Sequence, residues 1–303
     1  MTISRTAPAS LMNDAAWIEE VWDGMFLEHW YSESPIPKLC NTKTLDKIKN
    51  VGQTIHFRVE PRAAVVPHIK DQPIQWQAMK ADKRSITVDY AYSAAHRLDR
   101  IDKQHLGSLP VMSKIAASIT KTHAEKEAEI FFSVLPTLSF NPLNIVDRSA
   151  SAAVTGTRSS GLDYAINQVA KLRTGFNRRR APKKGRFLAV SPEVEELLIT
   201  SDQVTFNING VGNEKAITEG EWGTRVCGFD IIPTEFVQGA GTQASPYLCV
   251  AGVKDAIGFG RQVVEMEQGI KLQDYYGEGV RALNTFGMGL LYPDGVGLWK
   301  VRV

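Results

Sequence analysis

Apolar residues first recur at helical spacing, from Asn13 to Tyr31, where Ile18, Val21, Trp22, Met25 and His29 stand three or four positions apart. Asn13 or Asp14 supplies an N-cap for this predicted helix. Ser34-Pro35 and Pro37 stop it and open an arm rich in Lys and Asn. The period then shortens to two. Ile55, Phe57 and Val59 alternate with His56, Arg58 and Glu60, and Ile86, Val88 and Tyr90 alternate with Ser85, Thr87 and Asp89. Two alternating runs of matching length predict a β-hairpin. Hairpin loops usually hold two to five residues, yet Pro61 to Arg84 is an insert of 24. It contains Pro61, Pro67 and Pro73, Trp76, and the cations Lys70, Lys80, Lys83 and Arg84. A loop this long with such a mixture of apolar and charged residues is expected to meet a partner.

The helical period returns from about Val111 to Leu135, with Pro110 placed to initiate and Pro136 to end it. Its length is ~37 Å at ~1.5 Å per residue. Ile115, Ala116, Ile119 and Ala124 make only a narrow apolar stripe, and Lys121 and Glu125 stand at ion-pair spacing. That pattern fits a spine lying across a sheet rather than the centre of a bundle. Asn141 to Ser160 reads as a Ser/Ala/Thr/Gly connector, and a short helix is predicted over Gly161 to Thr174. Phe187 to Val190 is a short buried strand leading into Ser191-Pro192-Glu193, a cap, an initiating proline and an acidic first turn. Val204 to Val250 is strand and turn. Val280, Ala282, Phe286, Met288 and Leu290 then alternate, Pro293-Asp294-Gly295 turns the chain, and Val296 to Val303 ends it. No internal repeat is present.

Composition narrows the class. The 303 residues are 43% hydrophobic and 22% charged with net charge +2, ordinary values for a globular protein. No apolar run approaches ~18 residues, and Met1 to Ser10 lacks the apolar core of a signal peptide, so a soluble, cytoplasmically made protein is expected. Three cysteines, Cys40, Cys227 and Cys249, are an odd number with no metal-like spacing, and they are expected as small core hydrophobes in a reducing compartment rather than as a disulfide framework.

Catalytic patterns are missing. The chain has no Gly-x-Ser-x-Gly elbow, no Walker loop and no His-Glu-x-x-His. His123-Ala124-Glu125 starts a zinc-deaminase pattern that no Pro-Cys-x-x-Cys completes, so His123 is expected as a surface or half-buried helix residue. Gly210-Val211-Gly212 and Gly258-Phe259-Gly260 lack the rest of a dinucleotide fingerprint and read as turns. Asp99 and Asp102 suit the start of the spine helix. No cofactor or metal is expected. One charged feature stands out: Lys171 to Arg186 holds eight basic residues and no acid. Its densest part is Arg178, Arg179, Arg180, Lys183, Lys184 and Arg186. Two readings stay open, a solvated loop or ion pairs with a neighbouring subunit on one side, non-specific phosphate contact on the other.

The order of elements resembles the capsid fold shared by tailed bacteriophages and herpesviruses: arm, hairpin with extended loop, spine helix, compact middle, returning strands. Gly52-Gln53-Thr54-Ile55-His56-Phe57 is similar to that family's glycine-led strand entering the extended loop. Ile86-Thr87-Val88-Asp89, followed by Arg97-Leu98-Asp99, is similar to its return into the spine. Leu188-Ala189-Val190-Ser191-Pro192-Glu193 with Leu197-Leu198, and Gly228-Phe229-Asp230-Ile231-Ile232-Pro233, resemble passages of its axial domain. The resemblance runs from Trp17 to about Val303.

It implies an α+β fold: an N-terminal arm over 1–50, an extended-loop hairpin over 51–92, a peripheral domain from 93–140 with 263–303, and an axial domain over 141–262. It implies a non-enzymatic subunit that assembles with copies of itself, as hexamers and pentamers, into the icosahedral or prolate head of a virion. The shell would form in the host bacterial cytoplasm and enclose double-stranded DNA, touched non-specifically. A portal protein and a decoration protein are further implied partners, and no membrane is. About a dozen residues precede the predicted arm helix, so a scaffold is expected as a separate protein. Some relatives cross-link a lysine to an asparagine; Lys70, Lys80 and Lys83 lie in the loop, but no motif marks a partner, and that chemistry is not carried over. Two other classes remain at this point, a nanocompartment shell enclosing protein cargo and an enzyme of unrelated mixed fold.

Overall fold

The computed structural model describes residues 32–41, 54–59, 64–67, 70, 73, 76, 78, 82–105, 111–138, 140–150, 153–155, 164–199, 201, 225–273 and 275–303. The helix expected over Asn13 to Tyr31, the Gly210-Val211-Gly212 segment, Pro61 and Lys80 lie outside them.

A short helix, α1 (Ile36–Leu39), starts at a proline and buries Ile36 and Leu39. Strands β1 (Thr54–Val59) and β2 (Asp82–Thr87) form the expected antiparallel hairpin, with Thr54 opposite Thr87 and Val59 opposite Asp82. The pairing begins three residues earlier in β2 than the alternation suggested, so Lys83 and Arg84 are strand residues rather than loop residues. Val88 and Asp89 leave the hairpin, and a separate strand β3 (Tyr90–Asp99) follows. A second short helix, α2 (Arg100–His105), comes next, its first turn capped by the Asp99 carboxylate accepting from the Ile101 amide at 2.9 Å. Asp99 and Asp102 therefore serve this helix, not the spine. The spine is α3 (Val111–Val134), 24 residues long, and a 3-10 turn at Leu135–Thr137 ends it around Pro136.

The remaining elements are β4 (Ile145–Asp147), α4 (Ala165–Arg178), β5 (Arg186–Val190), α5 (Pro192–Ile199), β6 (Arg225–Val226), β7 (Phe229–Pro233), β8 (Tyr247–Val253), β9 (Ile257–Lys271), β10 (Gly277–Leu290) and β11 (Val296–Val301). They build two further sheets. One is antiparallel and long-stranded, in the order β3-β10-β9; the other is mixed and six-stranded, in the order β4-β11-β8-β5-β7-β6. Strands β5 and β7 run parallel, joined through α5, and β4 runs parallel to β11.

The spine lies across β3, β10 and β9, as its narrow stripe predicts. Its first half buries little: Ala116 and Ile119 against Val280 and Ala282 make a small cluster of their own. Its second half joins the main core through Ala128, Phe131 and Phe132. That core is continuous across both large sheets, taking Ile257, Phe259 and Phe286 from one and Leu188, Phe229, Val250 and Trp299 from the other. Strand β11 hydrogen-bonds into the six-stranded sheet, whereas 263–303 was expected whole in the peripheral part; β9 in turn starts at Ile257, inside the stretch expected to be axial.

One expectation is overturned outright. Gly258-Phe259-Gly260 is strand, not turn. Phe259 sits in the core, its ring 5.9 Å from Phe286 and edge-on to Phe131 at 6.3 Å. The glycine beside it is required by close packing: a Cβ on Gly258 would run into the end of the Ile86 side chain.

Candidate functional site

Three features carry polar or partner-seeking chemistry: the extended hairpin, the basic loop after α4, and a buried polar joint beneath the spine.

The hairpin is rooted where β2 crosses the long-stranded sheet. Gly258, Gly287 and Gly289 together form its seat. A Cβ on Gly287 would collide with the Thr87 carbonyl, and one on Gly289 would stand 3.0 Å from Ile86 Cγ1. With no side chains in between, the two layers close directly, and Ile86 and Val88 are each 1% exposed. Beyond the root the burial ends. Phe57 and Val59 are half-buried, while His56, Arg58, Lys83 and Arg84 are exposed. In the connecting segment Pro67, Lys70 and Pro73 are exposed, as are Val65 at 96% and Trp76 at 92%. An indole held almost wholly in water forgoes roughly 2–3 kcal/mol of burial energy, so Trp76 and Val65 are under-packed within the lone chain.

The basic run divides by burial. Arg178 ends α4, and Arg179, Arg180, Lys183 and Lys184 are all exposed. Arg180 takes φ 58°, which turns the chain sharply out of the helix. Arg179 donates to Asn141 Oδ1 at 3.2 Å. Arg186 is different: it is 3% exposed. Its guanidinium donates to Pro182 O at 2.7 Å, to Ala181 O at 2.9 Å and to Asn177 Oδ1 at 2.9 Å, and lies over the Phe176 ring at 5.5 Å. These bonds close the loop back onto α4. Arg186 thus holds the five exposed cations in place and has no free face for a phosphate.

The joint under the spine was not foreseen. Glu127 on α3 is 3% exposed. Its Oε1 pairs with Arg261 Nε at 3.0 Å and accepts from Asn284 Nδ2. Burial pushes its carboxyl above the usual range, opposed by Arg261 and Asn284. His123, one turn earlier, is 7% exposed, buried rather than at the surface or half-buried as its position suggested. Burial lowers its pKa, the Arg261 cation lowers it further, and a bond to the Ala282 backbone opposes both. The sequence signal for this pair was their four-residue spacing on one helix face; nothing local announced Arg261 or Asn284. Among the described residues, no group of three or more His, Cys, Asp or Glu could hold a metal ion. No helix among them is long and apolar enough to cross a membrane.

No protein-family profile matches the chain, and no curated protein matches it. Solved structures do. A chain from Mycobacterium phage Che8 superposes with a TM-score of 0.70 at 19% identity, covering 93% of this chain and 96% of that one. The capsid structure of the cyanophage P-SCSP1u gives 0.70 at 17% identity, over 99% of this chain and 100% of the other. The mature capsid of bacteriophage PhiM1 gives 0.63 at 16% identity, over 93% and 91%. The fold is therefore that of phage capsid proteins. At these identities the likeness is one of fold, and it spans 91% or more of each chain compared.

Proposed function

We propose that this chain is the major capsid subunit of a tailed phage, a structural protein that assembles with its own copies into a closed shell around double-stranded DNA. The carrying observation is the match of nearly whole chains, in both directions, to structures described as phage capsids. A catalytic domain sharing one layer of the fold would leave large unmatched parts. The exposure of Trp76 and Val65 supports the same reading, since a neighbouring molecule would bury both. Hexamers and pentamers are the closing units, with a scaffolding protein, a portal and a decoration protein as further partners. Assembly takes place in the bacterial cytoplasm, and the product is the virion head. In this reading the hairpin residues Pro61, Pro67, Lys70, Pro73, Trp76, Lys80, Lys83 and Arg84 lie on a neighbour. Arg178, Arg179, Arg180, Lys183 and Lys184 meet phosphates or a neighbour's carboxylates. Negative-stain imaging of the purified protein, alone and co-expressed with its phage's scaffold, tests it. Rings or closed particles are expected; a uniform field of 33.5 kDa monomers under both conditions contradicts it.

A further inference from the structure

The chain has almost no net charge, yet it gathers cations in one place. Residues 171–186 hold eight Lys/Arg and no acid, so this stretch carries +8 and the rest of the +2 chain carries −6. Folding presents that charge instead of dispersing it. Arg178, Arg179, Arg180, Lys183 and Lys184 are all exposed where α4 gives way to β5. Backbone bonds pin the turn that carries them. The Arg180 amide donates to Asn177 O and the Ala181 amide to Phe176 O, both at 3.0 Å, and the Lys254 amide donates to Gly185 O at 3.2 Å. From inside, the Arg186 guanidinium ties down Pro182 and Ala181. Arg173 adds its charge at the same end of the helix, close enough to Arg186 to join burial in lowering that residue's pKa.

A helix C-terminus explains only part of this cluster. The dipole of α4 favours cations in its last turn and fades beyond it, which covers Arg178 but not Lys183 or Lys184. A protein partner explains less. The centres of protein interfaces are depleted in charged residues, Lys among them, and enriched in aromatic ones. Within 171–186 the large apolar side chains Leu172 and Phe176 are fully buried, and the exposed residues are cationic, polar or small. Surfaces that meet DNA have the opposite character, polar and strongly positive. Guanidinium forks take phosphate oxygens two at a time, and every phosphate neutralised releases condensed counterions.

We infer that the α4–β5 loop is a sequence-independent contact for the phosphate backbone of duplex DNA, made by Arg178, Arg179, Arg180, Lys183 and Lys184 on the frame that Arg186 holds. This rests on the shell reading for the source of the duplex, and it commits the loop to phosphates over a neighbour's carboxylates. In a closed shell the loop then faces the lumen. The exposed run carries no aromatic side chain to stack on bases, so it grips the backbone without reading sequence.

Two measurements test this. The first titrates a short duplex of arbitrary sequence into dissociated subunits at several salt concentrations. Five phosphate contacts predict that log K falls against log salt with a slope of about −4.5, since each contact contributes about −0.9. Arg178→Gln, Arg179→Gln and Arg180→Gln together should flatten the slope by about 2–3. Changing the same three residues to Lys should keep most of it, because the charge remains. The second measurement is acetylation of Lys183 and Lys184 by a small amine reagent, read by mass spectrometry in free subunits, empty particles and DNA-filled particles. Both lysines should react in the first two states and be protected severalfold in the third. Protection already present in empty particles assigns the loop to a neighbouring copy and overturns the inference while the shell reading stands. Equal reactivity in all three states, or a slope that the Gln variant leaves unchanged, overturns it as well. If no particles form under any condition the shell reading falls, and the slope alone decides the phosphate contact.

Discussion

Gly287 passes directly beneath the carbonyl of Thr87, so closely that even a methyl group has no place between them. This contact fixes the height and angle at which the hairpin leaves the body. Gly287→Ala should force the two layers apart, at an overpacking cost of about 1–3 kcal/mol. Because the lifted element is the proposed assembly arm, shell formation should suffer more than folding does. Circular dichroism melting beside particle yield checks this; a normal yield with a large drop in melting temperature would show that the seat serves stability alone.

The two kinds of arginine around the α4–β5 loop should separate in a melting experiment. Arg186→Ala removes bonds to Pro182, Ala181 and Asn177 and the stack on Phe176. Charge-assisted bonds of this kind contribute about 1.5–3 kcal/mol, so a fall of several degrees is expected. Neutralising Arg178, Arg179 and Arg180 together should leave the melting temperature within a degree or two, since surface charges contribute about 0–1 kcal/mol. That triple variant should instead alter particle assembly or DNA retention. Full particles of wild-type salt stability would mean that the exposed cations are merely solvated.

His123 gives the joint beneath the spine a pH signature. Its pKa in the folded protein lies below the ordinary imidazole value. Between the folded value and about 6.5 the unfolded chain binds more protons, so this residue's contribution to stability falls as pH drops through that window. Glu127 has the opposite sign: its raised carboxyl favours the folded state when protonated, and stability is lost as pH rises through its folded value. Melting between about pH 7.5 and 5.5 should therefore show a shallower acid-side loss in His123→Gln than in the wild type, with Glu127 common to both. Parallel curves would contradict this.

The sequence was informative wherever the period was strong. Alternation around Phe57 and Ile86 marked the hairpin, and Pro110 and Pro136 bracketed the spine within a residue or two of its ends. Strand β3 escaped because Tyr-Ala-Tyr-Ser-Ala-Ala-His-Arg-Leu-Asp offers little contrast between its faces. Strand β9 was hidden by Gly258 and Gly260, which read as turn residues, whereas the bareness of Gly258 serves packing under Ile86. The site was half legible. Length and composition identified the loop, but only cross-strand register shows Lys83 and Arg84 inside β2, and only the tertiary fold shows Arg186 turned inward. Both depend on contacts between residues that local patterning does not connect.

The central claim is that the connecting segment between β1 and β2 belongs to a neighbour. Its most direct test is sedimentation of a protein in which residues 60–81 are replaced by an Asn-Gly turn, run beside thermal melting of the same protein. Closure entropy changes slowly with loop length, so the subunit itself should shift by about 1–3 kcal/mol at most, and Ile86 and Val88 should keep the hairpin root in place. The account predicts a folded subunit that sediments as a monomer or small oligomer and forms no shells. Normal particles from the shortened protein would contradict it, and a collapsed monomer would place the segment in the subunit's own core.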